Sequence, residues 1–462
     1  MSRYKAYTEY KDSGVEWLDK VPLHWSSVPI KYMALEKTSL FLDGDWIESK
    51  DISGDEIRYI TTGNVGEGVY KEQGVGFIST EKFFELNCTE VFFGDILMSR
   101  LNAPIGRSCI VPDLQSRVVT SVDNVIFRPD SKYIKEFLVY LFSSGDYFAH
   151  TANLARGATM QRISRGLLGN VRVVVPSLAE QQKIANFLDH ETAKIDTLIA
   201  KQQELIKLLK EKRQAVISHA VTKGINPNAP MRDSGVEWLG EVPTHWVVTR
   251  AKFLFDLITS GSRGWAEYYS DEGELFFRIA NLTRDTIDPK LESIQNVSPP
   301  KGSEGERSRI KLNDLLISIT ADLGSVCVAN DEVESGYVSQ HIALCRPNKL
   351  VASPRWLGFF ILSDMAKEQF MGSGYGGTKV QLSLEDIREL WIVLPTSTEQ
   401  TDIAIYIEKK MTQFGDLMLS AEGQIKLLQE RRTALISAAV TGKIDVRDWQ
   451  TAPVPELEDA AA

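Results

Sequence analysis

The chain has 462 residues, more than one hydrophobic core usually holds, so two or more domains are expected. Its 43% hydrophobic and 25% charged residues, with plentiful aromatic residues, exclude extensive disorder. No run approaches the roughly 18 apolar residues of a membrane span, and the N-terminus lacks the apolar core of a signal peptide, so a cytoplasmic protein without membrane partners is predicted.

The net charge of −10 argues against a nucleic-acid-binding protein, which usually carries a basic surplus. Two arrangements would reconcile this charge with DNA binding. The basic residues are gathered on one face, or a partner subunit supplies many of the phosphate contacts.

The four cysteines are far apart in sequence, without Cys-x-x-Cys pairs or histidines at ligand spacing. Neither a structural zinc site nor a disulfide is expected in a reducing compartment. We therefore predict no metal and no cofactor, and interpret Cys88, Cys109, Cys327 and Cys345 as small buried hydrophobic residues.

The chain is a tandem repeat of two units, and each unit opens with a similar leader. The leader DSGVEWLDKVPLHW begins at Asp12, and DSGVEWLGEVPTHW begins at Asp233. At the rear, VVVPSLAEQQKIANFLD from Val173 returns as IVLPTSTEQTDIAIYIE from Ile392, at an offset of about 219 residues. The middle segments, about 26–156 and 247–375, have diverged, which indicates shared docking surfaces around two different middle domains.

Both middle segments are predicted to mix short strands with one amphipathic helix near the end. The predicted strands of the first are Ile57 to Thr61, Asp95 to Ser99, Ser108 to Val111 and Asn124 to Phe127. Those of the second are Leu275 to Ile279, Leu315 to Thr320, Ser325 to Val328 and His341 to Cys345. The predicted helices are Ile134 to Phe142 and Pro354 to Leu362.

The rear segments are predicted to be long helices with an apolar heptad stripe. The first, from about Ala179 to Val221, would span roughly 60 Å and end before Gly224. Its stripe has Leu188, Ile195, Leu209 and Val216 at heptad position a, and Leu198 and Leu205 at position d. The second stripe has Ile407, Phe414, Leu428 and Leu435 at a, and Leu417 at d. We expect the two helices to form an antiparallel coiled coil, in which polar Gln202 and Gln424 are candidates for fixing the register; the alternative is that each helix packs only on its own domain.

These features resemble the DNA specificity subunits of type I restriction-modification systems. The resemblance rests on the doubled leader, on the strand-Pro-x-x-x-Glu-Gln openings at Pro176 and Pro395, and on the helix ends RQAVISHAVTKG and RTALISAAVTGK. The strands from Gly94 and from Asn313 also match, although the glycine-to-asparagine difference leaves the local turn in doubt. The resemblance implies an α+β fold, with two mixed target recognition domains joined by two long helices in an antiparallel coiled coil.

The resemblance also implies boundaries and partners. The first target recognition domain with its leader would cover 1–156, a helical region 157–224, the second domain 225–375, a second helical region 376–445, and an acidic tail 446–462. The expected partners are double-stranded DNA, two methyltransferase subunits and restriction subunits that translocate and cleave DNA.

Enzymatic activity within the chain is not expected. The sequence has no Asn/Asp-Pro-Pro-aromatic motif of an adenine methyltransferase and no Walker Lys-Ser/Thr motif. The Gly-rich stretch at Gly63 is interpreted as a turn, because no helix start follows it. Two alternatives stay open: a specificity subunit of a split type II-like modification system, and a coiled-coil protein scaffold that does not bind DNA.

Base reading requires side chains that reach base edges, such as Arg to guanine and Asn or Gln to adenine. The loops next to the strands are the expected place for them. The candidates in the first half are Arg58, Thr62, Asn64, Arg100, Asn102, Arg107 and Arg162. Those in the second half are Arg263, Arg278, Asn281, Arg284, Thr320 and Lys379. Because these loops differ, the target is expected to be two dissimilar half-sites with an unread spacer whose length the coiled coil sets.

Overall fold

The computed structural model describes residues 4–74, 76–157, 159–236, 239–299, 304–372 and 381–450. It divides into two compact units. The first unit combines the chain up to Gln202 with the chain from Gly423 onward, and the second runs from Gln203 to Glu422. Each unit therefore holds one middle segment, part of the first long helix and part of the second.

The first unit is built on two small sheets, a four-stranded antiparallel sheet and a three-stranded mixed sheet. Its strands are β1 (Tyr10–Val15), β2 (Leu18–Pro22), β3 (Ser26–Pro29), β4 (Leu40–Asp43), β5 (Ile57–Ile60), β6 (Gly76–Ile78), β7 (Ile96–Ser99), β8 (Ser108–Ile110), β9 (Arg117–Thr120), β10 (Asn124–Arg128) and β11 (Arg172–Val175). The short helices are α1 (Thr80–Glu85), α2 (Lys135–Leu141), α3 (Gly145–Leu154) and α4 (Arg165–Asn170). One sheet has the order β4-β10-β7-β8 and the other the order β6-β5-β9, with β5 and β9 parallel. The leader forms the β1-β2 hairpin, and β3 pairs with β11.

The second unit repeats this plan. Its strands are β12 (Met231–Asp233), β13 (Glu241–Pro243), β14 (Val247–Arg250), β15 (Phe255–Ser260), β16 (Tyr269–Ser270), β17 (Glu274–Phe277), β18 (Asn296–Val297), β19 (Leu315–Ser318), β20 (Val326–Val328), β21 (Tyr337–Val338), β22 (Ile342–Pro347) and β23 (Trp391–Leu394). The order β15-β22-β19-β20 matches the four-stranded sheet of the first unit, and β14 pairs with β23 as β3 does with β11. Each predicted strand is present, with ends that differ by at most two residues.

The described part of the chain has five further helices, of which two are very long. They are α5 (Leu178–Lys223), α6 (Pro354–Leu362), α7 (Asp364–Gly372), α8 (Leu384–Arg388) and α9 (Ser397–Val440). Gly224, with φ +78°, follows α5 in the left-handed conformation common after helix ends. Short 3-10 turns lie at Ile30–Met33, Ser49–Asp51, Thr62–Asn64, Ala251–Phe253, Trp265–Tyr268, Ile279–Asn281 and Glu304–Ser308.

The two long helices pack antiparallel within each unit. In the first unit, Leu188 and Ile195 near the start of α5 share a core with Leu435 near the end of α9. In the second unit, Ile217 near the end of α5 shares a core with Ile407 near the start of α9. The predicted fold class, with its antiparallel helix pair, is confirmed.

The packing seam differs from the predicted heptad assignment. Most predicted a positions are buried or half-buried: Leu188, Ile195, Leu209, Val216, Ile407, Phe414, Leu428 and Leu435. The predicted d positions Leu198, Leu205 and Leu417 are 46%, 43% and 54% exposed, which corrects their placement at the seam. Position e completes it instead, with half-buried Ile199 in α5 and Met418 in α9. Apolar residues at positions a and e recur at alternating steps of four and three residues, just as residues at a and d recur at steps of three and four. The sequence pattern therefore does not distinguish the two assignments.

The repeated strand at Asp95 and Asp314 has a structural role in both units. The Asp95 carboxylate binds Arg128 through two contacts of 2.7 Å, and Asp314 binds Arg346 in the same way at 2.9 and 2.7 Å. Gly94 and Asn313 both adopt left-handed φ values, +82° and +69°. The turn is therefore the same in both units, because asparagine tolerates this conformation better than most residues.

All four cysteines are buried and free, as predicted. Burial raises the pKa of the Cys109 thiol to about 12. In the part of the chain that the structure describes, no helix has the length and apolarity of a membrane span. Within those same residues, no group of His, Cys, Asp and Glu is placed to hold a metal ion.

Gly261 follows β15 at a point where two backbone segments touch. A Cβ atom there would lie 1.9 Å from the Val338 carbonyl oxygen and 2.6 Å from the Ser339 carbonyl carbon. Since backbone atoms cannot move aside cheaply, we expect Gly261→Ala to lower the free energy of unfolding by about 3 kcal/mol. Urea unfolding of the full chain measures this loss. The matched control is Gly415→Ala on α9, where no atom lies within 4 Å and stability is expected to rise by up to about 1 kcal/mol. An unchanged midpoint in Gly261→Ala would contradict the close approach.

Candidate nucleic-acid interface

A common backbone scaffold places loops at the end of the central strand in each unit. In the first unit, the Ile163 amide donates to the Arg100 carbonyl at 3.0 Å. In the second, the Leu382 amide donates to the Ile319 carbonyl at 2.9 Å. One residue further along, an isolated β-bridge joins Leu101 to Arg162 in the first unit and Thr320 to Gln381 in the second. The two units therefore match at this position as well. Arg100 therefore corresponds to Ile319, and Arg162 to Gln381. We call this edge the strand-end edge.

Three arginines and two aspartates cluster at the strand-end edge of the first unit. The Arg100 Nε lies 3.0 Å from Asp43 Oδ1, and the Arg162 Nη2 lies 2.7 Å from Asp123 Oδ1. Arg165 lies 3.7 Å from Asp43. Burial lowers the pKa of the Arg100 guanidinium, with Arg162 and Arg165 lowering it further and both aspartates opposing them. Three cations around two anions leave a local positive excess in an acidic chain.

The members of this arginine cluster differ in exposure. Arg100 is only 5% exposed, and its guanidinium also donates to the carbonyls of Ile163 and Val122. Its placement as a base reader is corrected to a structural role, because its donors are used inside the fold. The Arg162 and Arg165 side chains are 47% and 39% exposed. These two present charge to solvent, and Arg165 was not among the predicted candidates.

Arg107 is also used inside the fold. Its guanidinium donates to five backbone carbonyls, those of Thr62, Val65, Leu101, Asn102 and Pro104. Desolvation lowers the pKa of this guanidinium. Because its donors are directed at carbonyls, the predicted base-reading role of Arg107 is corrected. The side chain instead joins the loop after β5 to the loop after β7.

Two predicted adenine readers are structural asparagines in equivalent positions. Asn64 is 2% exposed, and its amide donates to the carbonyls of Lys71 and Gln73. Asn281 is fully buried and donates to the carbonyls of Lys290 and Ser293. Each side-chain oxygen also accepts a backbone N–H three residues earlier. Neither amide is free to contact a base edge, so both assignments are corrected.

The remaining candidates differ in their ion pairing and in their exposure. Arg58 pairs with Glu72, and Arg284 pairs with Asp322 at 2.5 Å. Asn102 and Arg263 are exposed, whereas Thr62, Arg278 and Thr320 are half-buried. Lys379 lies outside the described residues. Asn102, with φ +58°, stands at the strand-end edge beside Gln161, whose carbonyl accepts its backbone N–H at 2.9 Å.

The Glu-Gln pair that opens each long helix holds the leader and the middle segment in place. Glu180 accepts from Tyr7, His24 and Trp25 at 2.6, 2.8 and 3.1 Å. Glu399 repeats the contacts to His245 and Trp246. Gln181 accepts the Ile134 N–H, as Gln400 accepts that of Ala352. The shared Glu-Gln pair therefore fixes each diverged segment onto the start of its long helix in the same way.

Known proteins are similar to this chain in sequence and in fold. The family model described as "Type I restriction modification DNA specificity domain" matches residues 41–208 and 302–425. The specificity subunit of the type I restriction enzyme EcoBI from Escherichia coli is 22% identical over 77% of this chain and 74% of that protein. A chain from a structural study of assembly and conformational transition in a type I restriction-modification system has a TM-score of 0.69 and 19% identity, with 92% of this chain and 99% of that chain covered.

The HsdS subunit from Thermoanaerobacter tengcongensis has a TM-score of 0.51 and 18% identity, with 92% of this chain and 98% of that chain covered. The two structural matches show the same fold. The family model covers more than half of the sequence, in two segments that fall one in each half of the repeat. The chain therefore belongs to the type I restriction-modification DNA specificity family.

Proposed function

We propose that the chain is a non-catalytic cytoplasmic subunit that recognises a bipartite, asymmetric site in double-stranded DNA. Each unit would read one half-site, and the complex would include partner methyltransferase and restriction subunits. The observation that carries the proposal is the strand-end edge. At matching positions of the same scaffold, the first unit presents exposed Arg162 and the second presents exposed Gln381. Equal frames with different side chains are what a reader of two dissimilar half-sites requires.

Phosphate contacts fit the exposed cations at this edge. Arg162 and Arg165 supply charge in the first unit, and Arg263 is an exposed cation in the second. Phosphate contacts position a protein on the duplex, whereas base contacts choose the sequence. Asn102 is the exposed candidate for base contact in the first unit, since its amide can pair with adenine.

Partner subunits fit the outer sides of the long helices. Leu198, Leu205 and Leu208 on α5 are 43–51% exposed, and Leu417 and Leu427 on α9 are 54% and 65% exposed. Exposed leucines on helices that already have a packed seam indicate a further protein contact. We propose that two methyltransferase subunits dock there, with the helical regions taken as 157–224 and 376–445. The same leucines would also suit a protein scaffold without DNA recognition, which the following experiment separates.

The test is to co-express the chain with the methyltransferase encoded beside it, in a host without DNA methylation, and to map modified adenines across the genome. We expect one split motif with two unlike halves. Replacing residues 26–156 by the corresponding segment of another specificity subunit should change one half only. A stable complex without any methylation would overturn the DNA-reading proposal in favour of a scaffold.

A further inference from the structure

The second unit contains an aromatic cleft beside its strand-end edge. The cleft has a volume of about 440 Å³, within the range of about 300–1,000 Å³ typical of small-ligand sites. We define the aromatic cleft by Trp265, Tyr269, Phe276, Arg278, Ser339 and His341, which all line it. The His341 carbonyl accepts the Ile319 N–H at 3.1 Å, so the cleft adjoins the loop that carries Thr320.

The floor of the aromatic cleft is made of stacked rings. Trp265 and Phe276 lie nearly parallel, with centroids 5.3 Å apart and an interplanar angle of 11°. They are only 5% and 4% exposed, whereas Tyr269 is 45% exposed. Trp265 and Phe276 stack on each other, so the exposed Tyr269, whose ring centroid lies 5.7 Å from that of Phe276, is the ring left for a flat aromatic ligand to stack on.

Two polar side chains of the cleft contain buried atoms without hydrogen-bond partners. Ser339 is 6% exposed, and its hydroxyl oxygen has no partner among the described residues. In that same part of the chain, the Nε of Arg278 also lacks one, although its Nη2 donates to Ser293 at 3.3 Å. Buried polar groups without partners are costly, and an acceptor-bearing ligand would satisfy them. The chemistry favours a planar ring with exocyclic carbonyl groups.

We propose that the aromatic cleft holds one nucleobase extruded from duplex DNA, and that this base is guanine, cytosine or thymine. This proposal rests on the proposed function. A base stacked in a duplex offers only its edge in a groove, so it cannot lay its face on a ring that lines a cleft. Extrusion brings the whole ring of the base to Tyr269, and its carbonyl oxygen to the donors of Ser339 and Arg278.

The first unit is different at the matching position. Gly44 and Gly261 correspond, because each packs against the backbone just before an equivalent strand, β10 in the first unit and β22 in the second. The tryptophan after Gly44 is Trp46, which is 68% exposed and donates to Glu48 at 3.3 Å. The second unit instead buries Trp265. Base extrusion is therefore expected in only one half-site, the half-site read by the second unit.

Mismatch scanning tests the proposal. The methylation map gives the target, and the domain exchange assigns its second half-site. The full chain with its methyltransferase is then bound to duplexes that carry one mismatched pair at each position. Mismatches in a read site normally weaken binding about tenfold. At the extruded position, we expect the mismatch to strengthen binding about tenfold, because a mismatched base costs less free energy to unpair and extrude.

Two variants test the role of the cleft. Ala280 is exposed and lines the cleft, so Ala280→Phe fills it without removing a contact and should abolish the gain. Ser339→Ala removes one donor to the extruded base, so it should weaken binding of matched and mismatched duplexes alike about fivefold and leave the gain in place. The matched control is Ala352→Phe, at an exposed alanine of the same unit outside the cleft, which should retain the gain.

The outcomes are distinct. If every mismatch in the half-site weakens binding, or if Ala280→Phe keeps the full gain, the cleft proposal fails while DNA reading stands. If no sequence-selective binding is found, both proposals fail. Titration with free deoxynucleoside monophosphates tests whether the cleft binds a free nucleotide, which carries the same bases, instead of a base of the duplex. Their binding, without a mismatch gain, would overturn extrusion from DNA.

Discussion

Replacing Arg107 by alanine is expected to lower the free energy of unfolding of the first unit by about 4 kcal/mol. The Arg107 Nε donates to the Val65 carbonyl at 2.7 Å, and its Nη2 donates to the Thr62 carbonyl at 2.9 Å. Nη1 donates to the carbonyls of Leu101 and Asn102 at 3.0 and 2.9 Å. Removing one side chain therefore leaves several carbonyls in two loops without a donor. Urea unfolding of the full chain, followed by tryptophan fluorescence, measures the change.

Two further substitutions show whether Arg107 supports the loops or reads a base. Arg107→Lys should recover only part of the lost stability, because an ammonium group cannot match the planar fork of the guanidinium. Asn102→Ala removes an exposed side chain and places alanine at φ +58°, so we expect a small loss of about 1 kcal/mol, well below that of Arg107→Ala, while DNA binding weakens. Normal stability together with altered base preference in Arg107→Ala would restore its assignment as a base reader.

Much of the fold could be predicted from the sequence, because local periodicity decides it. Pro354–Leu362 has the predicted helix bounds, aided by the Ser353 hydroxyl that accepts the Trp356 N–H and by proline in the first turn. The duplication also predicted that both units repeat one plan. Two copies of the Glu-Gln opening make the same contacts, Glu180 with Trp25 and Glu399 with Trp246.

The candidate site was harder to predict, because arginine and asparagine suit both base edges and backbone carbonyls. Val65 lies 42 residues before Arg107 in the chain, and nothing local in the sequence brings their atoms together. Asn64 and Asn281 stand in loops, where exposure is the ordinary expectation, yet both are buried. The aromatic cleft was missed for the same reason, since Trp265 and Ser339 are far apart in sequence.

The negative net charge is compatible with a DNA-facing edge once the ion pairs are considered. Arg58, Arg117 and Arg284 each pair with a nearby acidic side chain. The arginine cluster of the first unit is different, because Arg162 and Arg165 share two aspartates with Arg100. The local excess of positive charge, rather than the net charge of the chain, determines where a polyanion would bind.

Glu180→Ala is expected to destabilise the first unit by about 4 kcal/mol, and the matched Glu399→Ala to destabilise the second by about 1–2 kcal/mol. Glu180 is 5% exposed and accepts from Tyr7, His24 and Trp25. Its loss leaves the buried tyrosine hydroxyl and indole N–H without their acceptor. Burial raises the pKa of Tyr7, and the hydrogen bond to this carboxylate raises it further.

The difference between the two variants follows from solvent access. The Glu399 side chain is 35% exposed and its partner His245 is 47% exposed. Water can therefore replace part of the hydrogen bonding that the carboxylate supplied. Urea unfolding of both variants gives the comparison, and Glu180→Gln should fall between wild type and Glu180→Ala because its amide oxygen still accepts. Equal losses in Glu180→Ala and Glu399→Ala would mean that the leader is held by apolar packing of Trp25 and Trp246, and that the repeated glutamate contributes little beyond it.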